Sequence, residues 1–423
     1  MPTVRSMTAD LDRFRWLPVL ALTAGTLWTV TAELLPAGLL LDIGDDTGVA
    51  PGTVGHLVTV WGVAIAALSL PLTRATRLVD RRTLLVGALA ATGAATVLTS
   101  LAPTYPLLFV ARTVAAAGHG LFWALVVVAA RSLVAEHHAA RAVAIVVAGP
   151  SVATVAAIPA ATALGEVAGW RVAFGVVGLL TVVTGALLAM ALPRIASASG
   201  QTEPGRRDPS VVPVVQGAVL GALLLLAHFM TFTFVAPILT GPGELARSMV
   251  SVALLVFGVA GVLGLLAAPL LAGRLPAASF PVTGALLAFS LLALHATNGR
   301  EPLQLAAIGV WGVAIGALPV VFQIRVLALA SPAFLPMAGA VTVVALNLGV
   351  ASGAAAGGLL HDHVGAGPLP LVAAALAALA SLGLGLLASP RAAVSSLPDR
   401  FSSARPAPEK HVSPPLMGRR WPR

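Results

Sequence analysis

The 423-residue chain has no cysteine, one lysine and few charges: only 10% of its residues are Asp, Glu, Lys or Arg. Without cysteine, neither a disulfide framework nor a thiolate metal site is available. A soluble globular protein carries about 25% charged residues, so this chain has too few to keep a folded surface in water. Hydrophobic residues make up 58% and the mean hydropathy is +0.96. Together these exclude an ordinary soluble enzyme and a disordered protein, and they imply surroundings as apolar as the chain itself. The lipid bilayer is therefore its first expected partner.

A membrane span needs roughly 20 apolar residues to cross about 30 Å of hydrocarbon. Twelve such stretches are present, at 16–41, 54–73, 83–102, 107–130, 142–164, 171–192, 212–235, 249–271, 279–297, 303–326, 336–359 and 368–388. The first is too long for a cleaved leader and is read as a retained span. The formal net charge of +9 suggests nucleic acid until the basic residues are placed. With the N-terminus inside, 21 of the 25 Lys and Arg fall on the inner side or in the tail, and only Arg171, Arg247 and Arg300 fall outside. Basic residues concentrate on the cytoplasmic side of membrane proteins, so the charge reports topology with both termini cytoplasmic, and no nucleic-acid partner is expected.

The longest polar break, 193–210, separates six spans from six. The expected organisation is a cytoplasmic N-terminus (1–15), an N-terminal half (16–192), a linker (193–210), a C-terminal half (211–389) and a disordered, basic, Pro-rich tail (390–423). A weak repeat supports two halves: Pro36 corresponds to Pro237, and PLTRATR at 71–77 to PLLAGR at 269–274.

Polar residues inside spans are costly and point to function. Glu33 is the only acid well inside an expected span and Arg112 the only base. From a rise of ~1.5 Å per residue they lie about 7 and 9 Å outward of the span middles. A lone charge there costs roughly 2.5–3.5 kcal/mol, so pairing between them is expected. Thr26, Thr29 and Glu33 form one helical stripe, expected to face a cavity. Desolvation and a nearby cation act oppositely on a carboxyl group, so a Glu that exchanges such surroundings can carry a proton. His119 and Trp123 share a face with Arg112, and a histidine titrates near neutrality. His228 lies at matching depth in the other half. Trp28, Trp123, Trp311 and Phe232 are candidates for an apolar cavity, with Thr29, Gln323 and Asn347 as its uncharged polar groups. Asp80, Arg81 and Arg82 sit on the cytoplasmic rim as a candidate gate. Gly349, Gly353 and Gly357, like Gly258, Gly261 and Gly264, have the spacing of close helix packing. Pro150 and Pro159 are expected to kink span 5. His361-Asp362-His363 is expected in an outer loop. No phosphate loop or zinc-type helix motif is present, so no catalytic residue, metal or cofactor is expected.

TAELLPAGLLLDIGDDTGV (31–49), PLTRATRLVDRRTLL (71–85), RTVAAAGHGLFWAL (112–125), AGPSVATVAAIPAATALGEVAGWRVAF (148–174) and LNLGVASGAAAGGLL (346–360) occur in this order. The set resembles the twelve-span drug:proton antiporter family of the major facilitator superfamily, and within it chloramphenicol-efflux and arabinose-efflux-type permeases. The resemblance covers nearly all of 16–390, although the usual span 2–3 loop is shortened here to Asp80-Arg81-Arg82. It implies an all-α fold of two six-helix halves with the substrate path between them, an Arg112 linked to proton translocation, and a monomer. The expected function is export of a small, partly apolar compound, with the proton as coupling ion, Glu33 as its carrier, Arg112 as the electrostatic partner and His119 as the next candidate carrier. The alternatives are a proton-coupled sugar or nucleoside transporter and a non-transporting membrane receptor or scaffold.

Overall fold

The structure, a computed structural model, describes residues 16–76, 79–193, 208–331 and 334–387. The N-terminal segment, most of the linker, Arg77 and the Pro-rich tail lie outside the described residues. Among the described residues all regular structure is helical. Twelve helices are long and apolar enough to cross a membrane.

Spans 1 to 4 are Trp16–Gly38, Pro51–Ala75, Arg81–Leu101 and Tyr105–Ser132. Span 5 is broken: Glu136–Val147 and Gly149–Val152 lead into a π-helical turn, Ala153–Ala157, before Ile158–Ala168. The expected kinks are thus a change of helix type between Pro150 and Pro159, neither of which donates a backbone N–H. Span 6 is Trp170–Ala191. Spans 7 to 12 are Val211–Phe232, Met249–Arg274, Ser279–Ala296, Glu301–Ala328, Leu335–Val364 and Leu369–Leu387. The acidic run after span 1 folds as a short helix, Leu40–Thr47, closed by Gly48 at φ 67°. Span 11 continues through His361-Asp362-His363, which form its last turn rather than the expected loop.

The halves repeat one packing scheme. Span 1 packs on 6 and 5, span 2 on 4, and span 3 on 4 and 6; correspondingly 7 packs on 12 and 11, 8 on 10, and 9 on 10 and 12. Between the halves, span 2 meets span 11 and span 5 meets span 8, two seams that exchange under the same repeat. Close approach explains the glycines: a methyl at Gly349, Gly353 or Gly357 would fall within 2.8 Å of the span 7 carbonyl oxygens of Ala222, Leu226 and Met230.

At the end of the spans opposite Trp16 and Leu387, polar contacts tie the halves together. Arg247 reaches Asp42 Oδ1 and Asp45 Oδ2 at 3.2 Å each. The Gly52 amide in the first turn of span 2 donates to Asp362 Oδ1 at 3.1 Å. Asp362 thus serves the other half as a helix N-cap, and a Cβ on Gly52 would sit 2.2 Å from its carboxylate. Beside the Arg247 pairs, Gly38, Asp42, Glu166, Thr240 and Arg247 border a cavity of about 410 Å³.

Burial raises the Asp42 carboxyl above its ordinary range, the neighbouring Arg247 opposing and Asp45 adding to the rise. Protonation of Asp42 therefore removes one Arg247 pair at a pH above the usual carboxylate range. In the cysteine-free chain, Thr240→Cys provides a reporter inside the cavity. Its thiol-labelling rate is expected to rise in the Arg247→Ala background by up to about fivefold, since exposed ion pairs contribute ~0.2–1 kcal/mol. Acidification of the Thr240→Cys protein with Arg247 intact is expected to have the same effect once the rate is divided by that of a free thiol at the same pH, because only the thiolate reacts.

Candidate functional site

Span 1 supplies Glu33 and, three residues on, Pro36. Pro36 has no N–H, so the Ala32 carbonyl loses its intrahelical donor. Lipid offers no replacement, and an unsatisfied backbone group there costs several kcal/mol. Arg112 of span 4 fills the place. Its Nη1 donates to the Ala32 oxygen at 2.6 Å and its Nη2 to the Glu33 main-chain oxygen at 3.0 Å. The guanidinium is fully buried and its Cζ lies 4.1 Å from the Trp61 ring centroid. A desolvated cation over an indole face is stabilised by about 2 kcal/mol.

Among the described residues the expected Glu33–Arg112 pairing is not a direct ion pair, although the two groups act on each other electrostatically. Arg112 is held by backbone and ring, while Glu33 Oε2 lies 3.6 Å from His119 Nε2. Trp61 meets His119 edge-on at 5.3 Å, and Trp123 lies 6.1 Å from His119 on its own helix. Arg112 Nε, His119 Nδ1, Trp61 Nε1 and Trp123 Nε1 are buried without a protein partner. Sequence reasoning missed Trp61; its place near the middle of span 2, at the depth of the charged pair, was the available signal.

The threonine stripe does not face a cavity. Thr29 is fully buried and its hydroxyl donates to Gly25 O at 2.8 Å. Thr26 donates across to Val146 O at 2.8 Å, the very carbonyl that Pro150 leaves without its intrahelical donor. Trp28 is half-buried.

The C-terminal half holds a separate centre. Trp311 Nε1 donates to His228 Nδ1 at 3.1 Å. An indole N–H only donates, so Nδ1 accepts and the neutral ring carries its proton on Nε2. Phe257 stacks on His228 at 6.0 Å, with Phe232 at 5.2 Å and Phe229 at 4.7 Å. Among the described residues no ring contact joins this group to His119 or Trp123. Gln323 is exposed, and Asn347 is half-buried with its amide donating to Val343 O at 2.9 Å.

The candidate cytoplasmic gate makes local contacts. Asp80 Oδ2 accepts from the Thr83 amide at 3.1 Å and so caps span 3. Arg82 donates to Ala189 O at 2.5 Å, within its own half. Arg81 is half-buried in the first turn of span 3.

One set of spans holds a buried charged centre and the other an aromatic one, and the chain is similar over most of its length to multi-pass membrane transporters rather than to enzymes. Residues 19–323 match the Major Facilitator Superfamily. The chain is 34% identical over 361 residues to a chloramphenicol resistance protein of Streptomyces lividans, covering 84% of this chain and 92% of that one. It is 26% identical over 373 residues to a probable sugar efflux transporter of Mannheimia succiniciproducens, covering 87% and 93%. Among solved structures, a bacterial homologue of the lysosomal transporter Spinster, inward-facing and occupied, aligns with a TM-score of 0.67 at 15% identity, covering 92% of this chain and 94% of that one. A nucleoside transporter aligns with a TM-score of 0.66 at 12% identity, covering 88% and 99%. The chain belongs to the major facilitator superfamily.

The Arg112 anchor makes a prediction about stability. Arg112→Ala removes two charge-assisted bonds and orphans the Ala32 carbonyl, an expected loss of roughly 2–3 kcal/mol. Pro36→Ala added to it restores a backbone donor for that carbonyl and is expected to recover about 1 kcal/mol. The double-mutant cycle, read by denaturation in detergent, is thus expected to be non-additive.

Proposed function

We propose that the protein exports a small, partly apolar compound across the cell membrane in exchange for protons, with both termini cytoplasmic. The observation that carries this reading is the contact of Glu33 with His119 beside an Arg112 whose charge is spent on backbone and ring. A carboxylate so placed has a proton-sharing neighbour at hand and a cation close by that is not locked to it. Rearrangement of the spans that moves Arg112 toward or away from the carboxylate would release or bind a proton. The driving force is sufficient: a proton contributes ~2.3 kcal/mol per 100 mV and ~1.4 kcal/mol per unit of pH difference.

Efflux is supported by the name of the Mannheimia relative, a small drug as cargo by that of the Streptomyces one, and a partly apolar cargo by the aromatic centre around His228. Phe229, Phe232, Phe257 and Trp311 are packed around His228 and buried; in the proposed cycle, rearrangement of the spans opens their ring faces and edges to the cargo, and His228 contributes its single polar edge. Export of a sugar, the activity named for the other relative, calls for more hydroxyl and amide groups than this centre holds.

Chloramphenicol serves as the probe in proteoliposomes. Glu33→Gln mimics the protonated carboxyl; it is expected to fold, to abolish accumulation driven by a pH gradient, and to retain chloramphenicol counterflow. Accumulation at the parental rate in this variant would show that another group carries the proton.

A further inference from the structure

Trp61 touches neither Glu33 nor, by any contact described above, a substrate path, yet it joins the two groups that flank Glu33. Its ring carries the Arg112 guanidinium 4.1 Å from its centroid and the edge-on His119 ring at 5.3 Å. It is fully buried, and its only polar atom, Nε1, has no protein partner. A tryptophan held for a hydrogen bond would show one. What this side chain contributes is its π face, directed at a cation inside a membrane span.

The position of that face decides where the Arg112 charge sits. Arg112 and Glu33 are close enough to act on each other electrostatically. In hydrocarbon that attraction is strong, and the unconstrained outcome is a direct guanidinium–carboxylate pair. Two carbonyls and one indole face hold the guanidinium elsewhere. The Pro36-freed carbonyl accounts for one side of that hold and Trp61 for the other. Phe174, the other ring near the cation, is farther, at 6.0 Å.

Trp61 also stands beside the seam between the halves. At its neighbour Gly62, an added methyl would lie 2.8 Å from the Asn347 carbonyl oxygen and 3.0 Å from the Ala351 Cβ, both on span 11. A shift of span 11 against span 2 therefore bears on the helix turn that carries the indole.

We propose that Trp61 is a positioning residue for proton coupling: its indole face keeps the Arg112 guanidinium on the span 1 backbone and off the Glu33 carboxylate, and so sets the pH at which Glu33 exchanges its proton. This rests on the reading of Glu33 as the coupling carboxylate, and the test separates the two claims.

The purified full-length protein is titrated in detergent without substrate, and the protonated carboxyl of Glu33 is followed by infrared difference spectroscopy, with Glu33→Gln identifying its band. Trp61→Leu removes the face and frees Arg112 to pair with the carboxylate. The titration is then expected to move to lower pH by about one unit or more, the effect of a cation within ~4–6 Å. Trp61→Met keeps apolar bulk without a ring and is expected to shift likewise, serving where the leucine variant does not fold. Trp61→Phe keeps a π face and is expected to titrate close to the parent. A core-packing role predicts lowered melting temperatures with an unmoved titration in all three, which would overturn the proposal. So would equal shifts in the phenylalanine and ring-free variants. Chloramphenicol accumulation by Glu33→Gln is scored separately: persistence there defeats the coupling reading while leaving the infrared result on Trp61 to stand or fall alone.

Discussion

A carbonyl freed by proline inside a membrane has no water to turn to, and this constraint locates the centre of the N-terminal half. Pro36 frees Ala32 O and Pro150 frees Val146 O. Arg112 takes the first, at 2.6 Å, and Thr26 the second, at 2.8 Å. These bonds help to fix span 1 to span 4 and to span 5. The same bonds settle the chemistry. Arg112 is committed to main-chain oxygens, so Glu33 is not neutralised by the only other charge at its depth and comes to rest beside His119.

The two halves share a packing scheme but not a chemistry. The N-terminal half holds the acid, the base and a histidine; the C-terminal half holds a histidine fixed by Trp311 and surrounded by phenylalanines. In the proposed cycle the proton is handled mainly in one half and the cargo recognised mainly in the other. Communication between them then has to cross the seams of span 2 with span 11 and of span 5 with span 8. Both seams are close. Gly258 of span 8 faces the Thr154 carbonyl in the π-helical turn of span 5, where a Cβ would lie 2.1 Å from the oxygen. Gly52 receives Asp362 across the other seam. Packing this tight has few intermediate arrangements, which suits a device that moves between two.

Several features were legible in the chain alone because they follow from composition and period. Twelve spans follow from the length of the apolar runs against the thickness of a bilayer. The division into halves follows from the polar break and the repeat. Glu33, Arg112 and His119 stand out because intramembrane charge is costly wherever it occurs. The glycine stripe on span 11 follows from its spacing of four residues.

Partner choice did not follow, because it depends on distances between segments far apart in the chain. The sequence set Glu33 and Arg112 at one depth, but only the tertiary structure directed Arg112 to the carbonyl that Pro36 exposes and laid Trp61 beneath it. The threonine stripe has the right spacing for a cavity face, yet its hydroxyls are spent on carbonyls, a choice that turns on which neighbouring helix lies against it. Asp80 bears the mark of a gate, and the structure adds that it caps span 3. Arg247 and Asp362, expected in outer segments, join the halves, Arg247 through Asp42 and Asp45. Composition and period determine that a segment crosses the membrane and which side chains are costly there. Which polar group answers each cost is decided only when the spans pack, because a hydrogen bond or cation–π contact is lost within an ångström or two, a precision that helical spacing along one chain does not supply.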